Sequence, residues 1–87
     1  MHEASLMAGL MRQIEAIAQR EDARRVTKVV VWCGALSHMT KAHFAEHFDQ
    51  AAKGTLAEGA ELDVTISDDH AHDHAQNVLL EKIDVTD

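Results

Sequence analysis

The segment RVTKVVVWC at 25–33 limits the possible fold more than any other part of this chain. It is short, apolar and dense in β-branched side chains, which is the composition of a strand. Val26, Lys28, Val30 and Trp32 fall on one face, and Thr27, Val29, Val31 and Cys33 on the other. Past Lys28 both faces are mostly apolar, so the segment reads as a central strand, ended by Gly34. A central strand needs neighbours on both edges and a layer to cover it. Eighty-seven residues leave room for one small domain, residues 1–87, to supply them. The aromatics are Trp32, Phe44 and Phe48, so the core must be built from Leu, Ile, Val, Ala and Met.

Ahead of the strand, Leu6, Leu10, Ile14 and Ile17 recur at helical spacing over residues 3–20, with Met7, Met11 and Ala18 beside them. Glu21-Asp22-Ala23-Arg24 has no periodicity and reads as a connection. After the strand, GALSHMT at 34–40 is a loop, and Thr40 is placed to cap a helix from Lys41 to Lys53. Phe44 and Phe48, with Ala45, Ala51 and Ala52, form that helix's apolar stripe. Gly54 sits where a helix end favours positive φ. ELDVTIS at 61–67 alternates, with Leu62, Val64 and Ile66 inward, and VLLEKIDVT at 78–86 is a final strand. The polar residues 68–77 between them form a loop.

The order α-β-α-β-β predicts an α+β, two-layer α/β domain, with two helices packed on one face of a small three-stranded mixed sheet. A right-handed crossover through the second helix makes the first two strands parallel. The last two strands are expected to pair as a long-looped hairpin. The expected core is Leu6, Leu10, Ile14, Ile17, Val29, Val31, Phe44, Phe48, Leu62, Val64, Ile66, Leu80 and Ile83.

Eight basic side chains against fifteen acidic ones give a net charge of −7. That sign opposes nucleic-acid binding, which needs a basic face, and docking on an anionic membrane. No apolar run approaches the roughly 20 residues of a membrane span, and no signal-peptide pattern opens the chain. A single cysteine, Cys33, excludes an internal disulfide and a cysteine-rich zinc knuckle. A cytoplasmic protein is the expectation. Seven histidines, at 2, 38, 43, 47, 70, 72 and 74, are the one compositional excess, and imidazole is the commonest ligand for borderline transition metals.

Met1-His2-Glu3 offers an α-amine, the His2 amide nitrogen and an imidazole. Amine and deprotonated amide close a five-membered chelate ring, and amide with Nδ1 closes a six-membered one. Such a nitrogen field suits Ni(II) and Cu(II). Glu3 can add a carboxylate or face the positive end of the first helix dipole. In the loop, His70, His72 and His74 alternate, so an extended backbone points them to one side, with Asp68, Asp69 and Asp73 nearby. His43-Phe44-Ala45-Glu46-His47 matches the H-x-x-E-H zinc-protease pattern, but a chain this small has no room for a peptide cleft. With Phe44 and Phe48 facing the core, His43 and His47 face solvent or a partner. Cys33 reads as a small buried hydrophobe. There is no Gly-rich phosphate loop, and nothing marks the chain as an enzyme.

MHEASL at 1–6 resembles the MHE-x-S-(L/V) opening of the HypA/HybF family of hydrogenase-maturation nickel chaperones. RVTKVVVWCGALS at 25–37 resembles that family's strand and turn, KGTLAEGAELDV at 53–64 its x-G-T-x-x-E-G-A passage, and VLLEKIDV at 78–85 its terminal strand. Four strings in register over nearly the whole chain make the resemblance specific. It implies Ni(II) held by Met1, His2 and Glu3, with a HypB-type GTPase and a hydrogenase large-subunit precursor as partners. Some members also use an acidic residue near the start of the second helix, where this chain has Thr40. Members carry a zinc domain with paired CxxC motifs between the last two strands. This chain has neither CxxC, and its His/Asp-rich loop 68–77 stands in that place, so no structural zinc is expected.

The sequence therefore predicts a nickel metallochaperone that takes Ni(II) at its N-terminus for a nickel enzyme, a nickel–iron hydrogenase by resemblance. His70, His72 and His74 would form a secondary metal site. A core of this size rarely leaves more than about 3–5 kcal/mol of net stability, so homodimerisation is a reasonable supplement. The alternative is a non-metallated adaptor on the same fold, with its histidines merely on the surface.

Overall fold

The computed structural model describes residues 3–86, with side chains from Ser5 onward. Its elements follow the expected order: α1 (Glu3–Arg20), β1 (Arg25–Cys33), α2 (Lys41–Ala52), β2 (Glu61–Ile66) and β3 (Val78–Thr86). β1 is the middle strand of a mixed sheet in the order β2-β1-β3. It runs parallel to β2, from Lys28 opposite Glu61 to Cys33 opposite Ile66. It runs antiparallel to β3, from Arg25 opposite Thr86 to Cys33 opposite Val78. The expected hairpin of the last two strands is therefore not formed, because β2 and β3 lie on opposite edges of β1. Stacking β3 outside β2 would have left one edge of an apolar strand with unpaired backbone groups, whereas this arrangement satisfies both.

A bulge corrects the assignment of β1's faces. Val26 stands opposite Val85 and Lys28 opposite Asp84, so Thr27 is an extra residue. An unpaired residue reverses the alternation beyond it. Val26 consequently joins Val29, Val31 and Cys33 on the buried face, each at most 1% exposed. Lys28, Val30 and Trp32 lie half-buried on the other face.

The core packs that face against Met7, Leu10, Met11, Ile14 and Ala18 of α1 and Phe44, Phe48 and Ala52 of α2. Of the expected core, Leu6, Leu62, Ile66, Leu80 and Ile83 are only partly buried against it. Ile17 lies outside it, lining a surface groove with Leu80. The buried stripe of α1 is turned towards Met7 and Met11, whose unbranched side chains fill irregular gaps readily. No charged or polar side chain is buried among the described residues.

Both helices start at the same end of the domain. α2 leads away from the Cys33 end of β1, and beyond it the Val26 amide donates to the Leu56 carbonyl at 2.9 Å. α1 reaches the opposite end as well, where the Arg24 amide donates to the Thr86 carbonyl at 2.9 Å. Its first turns border Asn77 and Val78, beside Cys33 in the sheet. Into this same end run the loops 34–40 and 67–77. Ser67 donates to the Cys33 carbonyl at 2.9 Å, Gly34 to Asn77 at 2.8 Å and Leu36 to Ala75 at 2.7 Å, all through backbone amides.

Gly34 is required by that close approach. A Cβ there would lie 2.2 Å from the Ala75 carbonyl oxygen. Gly34→Ala is therefore expected to destabilise the domain by about 1–3 kcal/mol, the usual cost of overpacking. At Gly9 the nearest atom to an added Cβ is the flexible Arg12 guanidinium at 3.7 Å. Gly9→Ala should stabilise by up to about 1 kcal/mol through helix propensity. Urea unfolding of both variants checks the contrast, and equal shifts in the midpoint would contradict it.

Candidate metal centre

The six described histidines, His38, His43, His47, His70, His72 and His74, all belong to the end of the domain where β1 and β2 stop. Two connections and the first two turns of α2 supply them. The sheet topology makes this gathering: a parallel pair with both helices pointing away leaves the strand ends and the helix starts together.

Thr40 opens α2 as its N-cap, with φ −107° and ψ 160°, and its hydroxyl accepts from the His43 amide at 3.2 Å. One turn separates His43 from His47, and their rings stack with centroids 4.6 Å apart and planes inclined by 21°. Their Nε2 atoms lie 2.9 Å apart. Phe44 and Phe48, each at most 1% exposed, anchor the adjacent positions of the helix in the core. His38, in the preceding loop, holds a left-handed φ of 63°.

Loop 68–77 is folded into turns rather than extended. The Ala71 amide donates to Asp69 Oδ1 at 3.0 Å, and the Ala75 amide to the His72 carbonyl at 3.0 Å. The backbone is thus not the extended one on which a single row of three imidazoles was expected. His70 Nδ1 lies 3.0 Å from the Asp68 carbonyl, which can only accept, so Nδ1 is the donor, and in the neutral ring Nε2 then keeps the lone pair. His72 Nδ1 accepts from the His74 amide at 2.9 Å, which puts the neutral ring's proton on Nε2. The His72 ring tilts over Trp32 at 4.8 Å and lies 5.8 Å from the ring of His74. No three His, Cys, Asp or Glu side chains among the described residues form a ready-made metal cluster.

Of the N-terminal motif, Met1 and His2 lie outside the described residues, and Glu3 is the first residue of α1. The His43/His47 pair is what sequence reasoning passed over. Its signal is two histidines four apart, a spacing that can chelate from one helix face although the sequence identifies no third ligand.

Residues 1–76 match the family model described as hydrogenase/urease nickel incorporation, metallochaperone, hypA. The chain belongs to the HypA family. It is 36% identical over 66 residues to the hydrogenase maturation factor HypA of Methylocella silvestris, covering 76% of this chain and 58% of that one. Against the HypA of Psychromonas ingrahamii it is 36% identical over 81 residues, covering 93% of this chain and 69% of that one. The chain thus spans little more than half the length of several HypA relatives it matches. Its fold matches the solution structure of the Ni metallochaperone HypA from Helicobacter pylori, with a TM-score of 0.82 over 99% of this chain and 98% of that one, at 21% identity. The expected α+β architecture is that of the HypA fold. No helix among the described residues is long and apolar enough to cross a membrane.

Cys33 ends β1, fully buried. Burial pushes its thiol from 9.0 up to about 11, because the thiolate would lose its hydration. It is therefore a protonated packing group at neutral pH and a poor metal ligand. Between pH 9.0 and about 11 the unfolded chain ionises this thiol and the folded one does not. Stability should fall with rising pH across that window, and Cys33→Ala should flatten the fall. Denaturant titrations at a series of alkaline pH values test this; an equally steep decline in the variant would contradict it.

Proposed function

We propose that this domain takes up Ni(II) as cargo at its N-terminus, through the Met1 α-amine, the amide and imidazole of His2 and the Glu3 carboxylate, and passes it on for the maturation of a nickel enzyme, a nickel–iron hydrogenase in the first instance. The observation that carries the reading is the family match, which begins at residue 1 and includes these three residues. The chemistry supports it. An amine, an amide and an imidazole in sequence close two fused chelate rings around a metal that accepts a square-planar nitrogen field. α1 begins at Glu3, and a carboxylate is favoured at the positive end of a helix dipole. A HypB-type GTPase and the hydrogenase large-subunit precursor are the partners this reading requires, in the cytoplasm.

Calorimetry with Ni(II) on protein carrying its native N-terminus tests the proposal. His2→Ala should abolish the tight phase with little effect on stability, and Glu3→Ala should weaken it less, because water can replace one carboxylate. An N-terminal extension should damage the site even with His2 in place. A His2→Ala isotherm identical to that of the parent protein would sink the assignment.

The reading extends to zinc. We take the loop 68–77 to stand where family members carry their zinc domain, so that folding rests on the apolar core. A structural zinc contributes on the order of 10 kcal/mol to folding. Excess chelator should leave the thermal midpoint unchanged, and a large fall in Tm would overturn this part of the account.

A further inference from the structure

We propose that His43 and His47 form a second metal site, a bidentate imidazole chelate on α2 for a late first-row divalent ion, with Ni(II) as the ion to test. Two side chains four apart stand over one another on a helix face. Here the rings have already met: their Nε2 atoms are 2.9 Å apart. Two nitrogens bound cis at about 2.1 Å to one ion, at a right angle, lie about 3.0 Å apart, while a tetrahedral ion spreads them to about 3.4 Å. The separation in this structure therefore fits the square-planar or octahedral field of Ni(II) or Cu(II) better than the tetrahedral field of Zn(II).

The pair is held in place by its surroundings. Phe44 and Phe48 lock the helix face next to it into the core, and Thr40 fixes the backbone of His43 through the helix cap. In a neutral pair joined by one Nε2–H···Nε2 hydrogen bond, the accepting ring already carries its proton on Nδ1, so moving the donor ring's proton from Nε2 to Nδ1 frees both Nε2 lone pairs for an ion. The net charge of −7 adds a general attraction for cations.

The ligands proposed for the two sites are different residues, and the experiment separates them. In a His2→Ala background, calorimetry should show a residual Ni(II) phase, weaker than the tight phase of the parent. Adding His43→Ala should weaken that phase by about tenfold or more, at least the effect of losing an outer-shell partner. His43→Ala with His47→Ala should remove it, while circular dichroism shows an unchanged fold. Replacing His70, His72 and His74 should leave it in place. The fluorescence of Trp32, which packs against His72, reports ions that land on the loop instead. A residual phase that survives loss of both α2 histidines, or one that quenches Trp32 and disappears with the loop histidines, overturns the proposal. So does a His2→Ala protein that binds no Ni(II) at all. The fate of the tight phase in the parent protein bears only on the N-terminal reading.

Discussion

β1 is hydrogen-bonded along both edges, to a parallel β2 and an antiparallel β3. Those two ladders decide where everything else goes. The parallel partner forces a crossover, and α2 is that crossover. The antiparallel partner closes the other edge and gives α1 a surface to lie along. Because Val26, Val29, Val31 and Cys33 all face the helices, a single side of the sheet is sealed. In a domain this small, losing either ladder would expose much of the apolar core to water.

The same ladders divide labour between the two ends. One end holds the turns at 21–24 and 54–60, where positive φ at Asp22, Gly54 and Gly59 reverses the chain. The other holds the helix starts, the two connecting loops and every described histidine. The interior contributes stability without using these side chains, since no polar or charged group is buried among the described residues. Metal-binding groups can therefore be gained or lost at that end at small cost to folding. Gly34, pressed against the Ala75 carbonyl, is where the two loops are tied together, and a larger side chain has no room there.

Much of this was legible in the sequence because the signals were local. β-branched density gave β1 its bounds, the Thr40 cap and the Phe44/Phe48 stripe gave α2, and Gly54 takes the positive φ expected of it. The misreadings were of things that sequence periodicity does not carry. The bulge at Thr27 depends on the register against β3, and without it Val26 falls on the wrong face. The position of β3 depends on which edge of β1 is vacant, a tertiary question. The loop histidines read as a row only if the backbone is extended, and the Asp69 side chain instead binds the Ala71 amide and folds it into a turn. The His43/His47 pair was present in the spacing, but its ring geometry belongs to the folded helix.

The central claim is that nickel is handled at the histidine end of the domain. Titrating 15N-labelled protein that carries its native N-terminus with Ni(II), and following each backbone amide by NMR, tests it most directly. The account predicts shifts or broadening at the start of α1 and across residues 34–47, with the turns at 21–24 and 54–60 unaffected. Perturbation centred on those turns, or none with Ni(II) in excess, would contradict it.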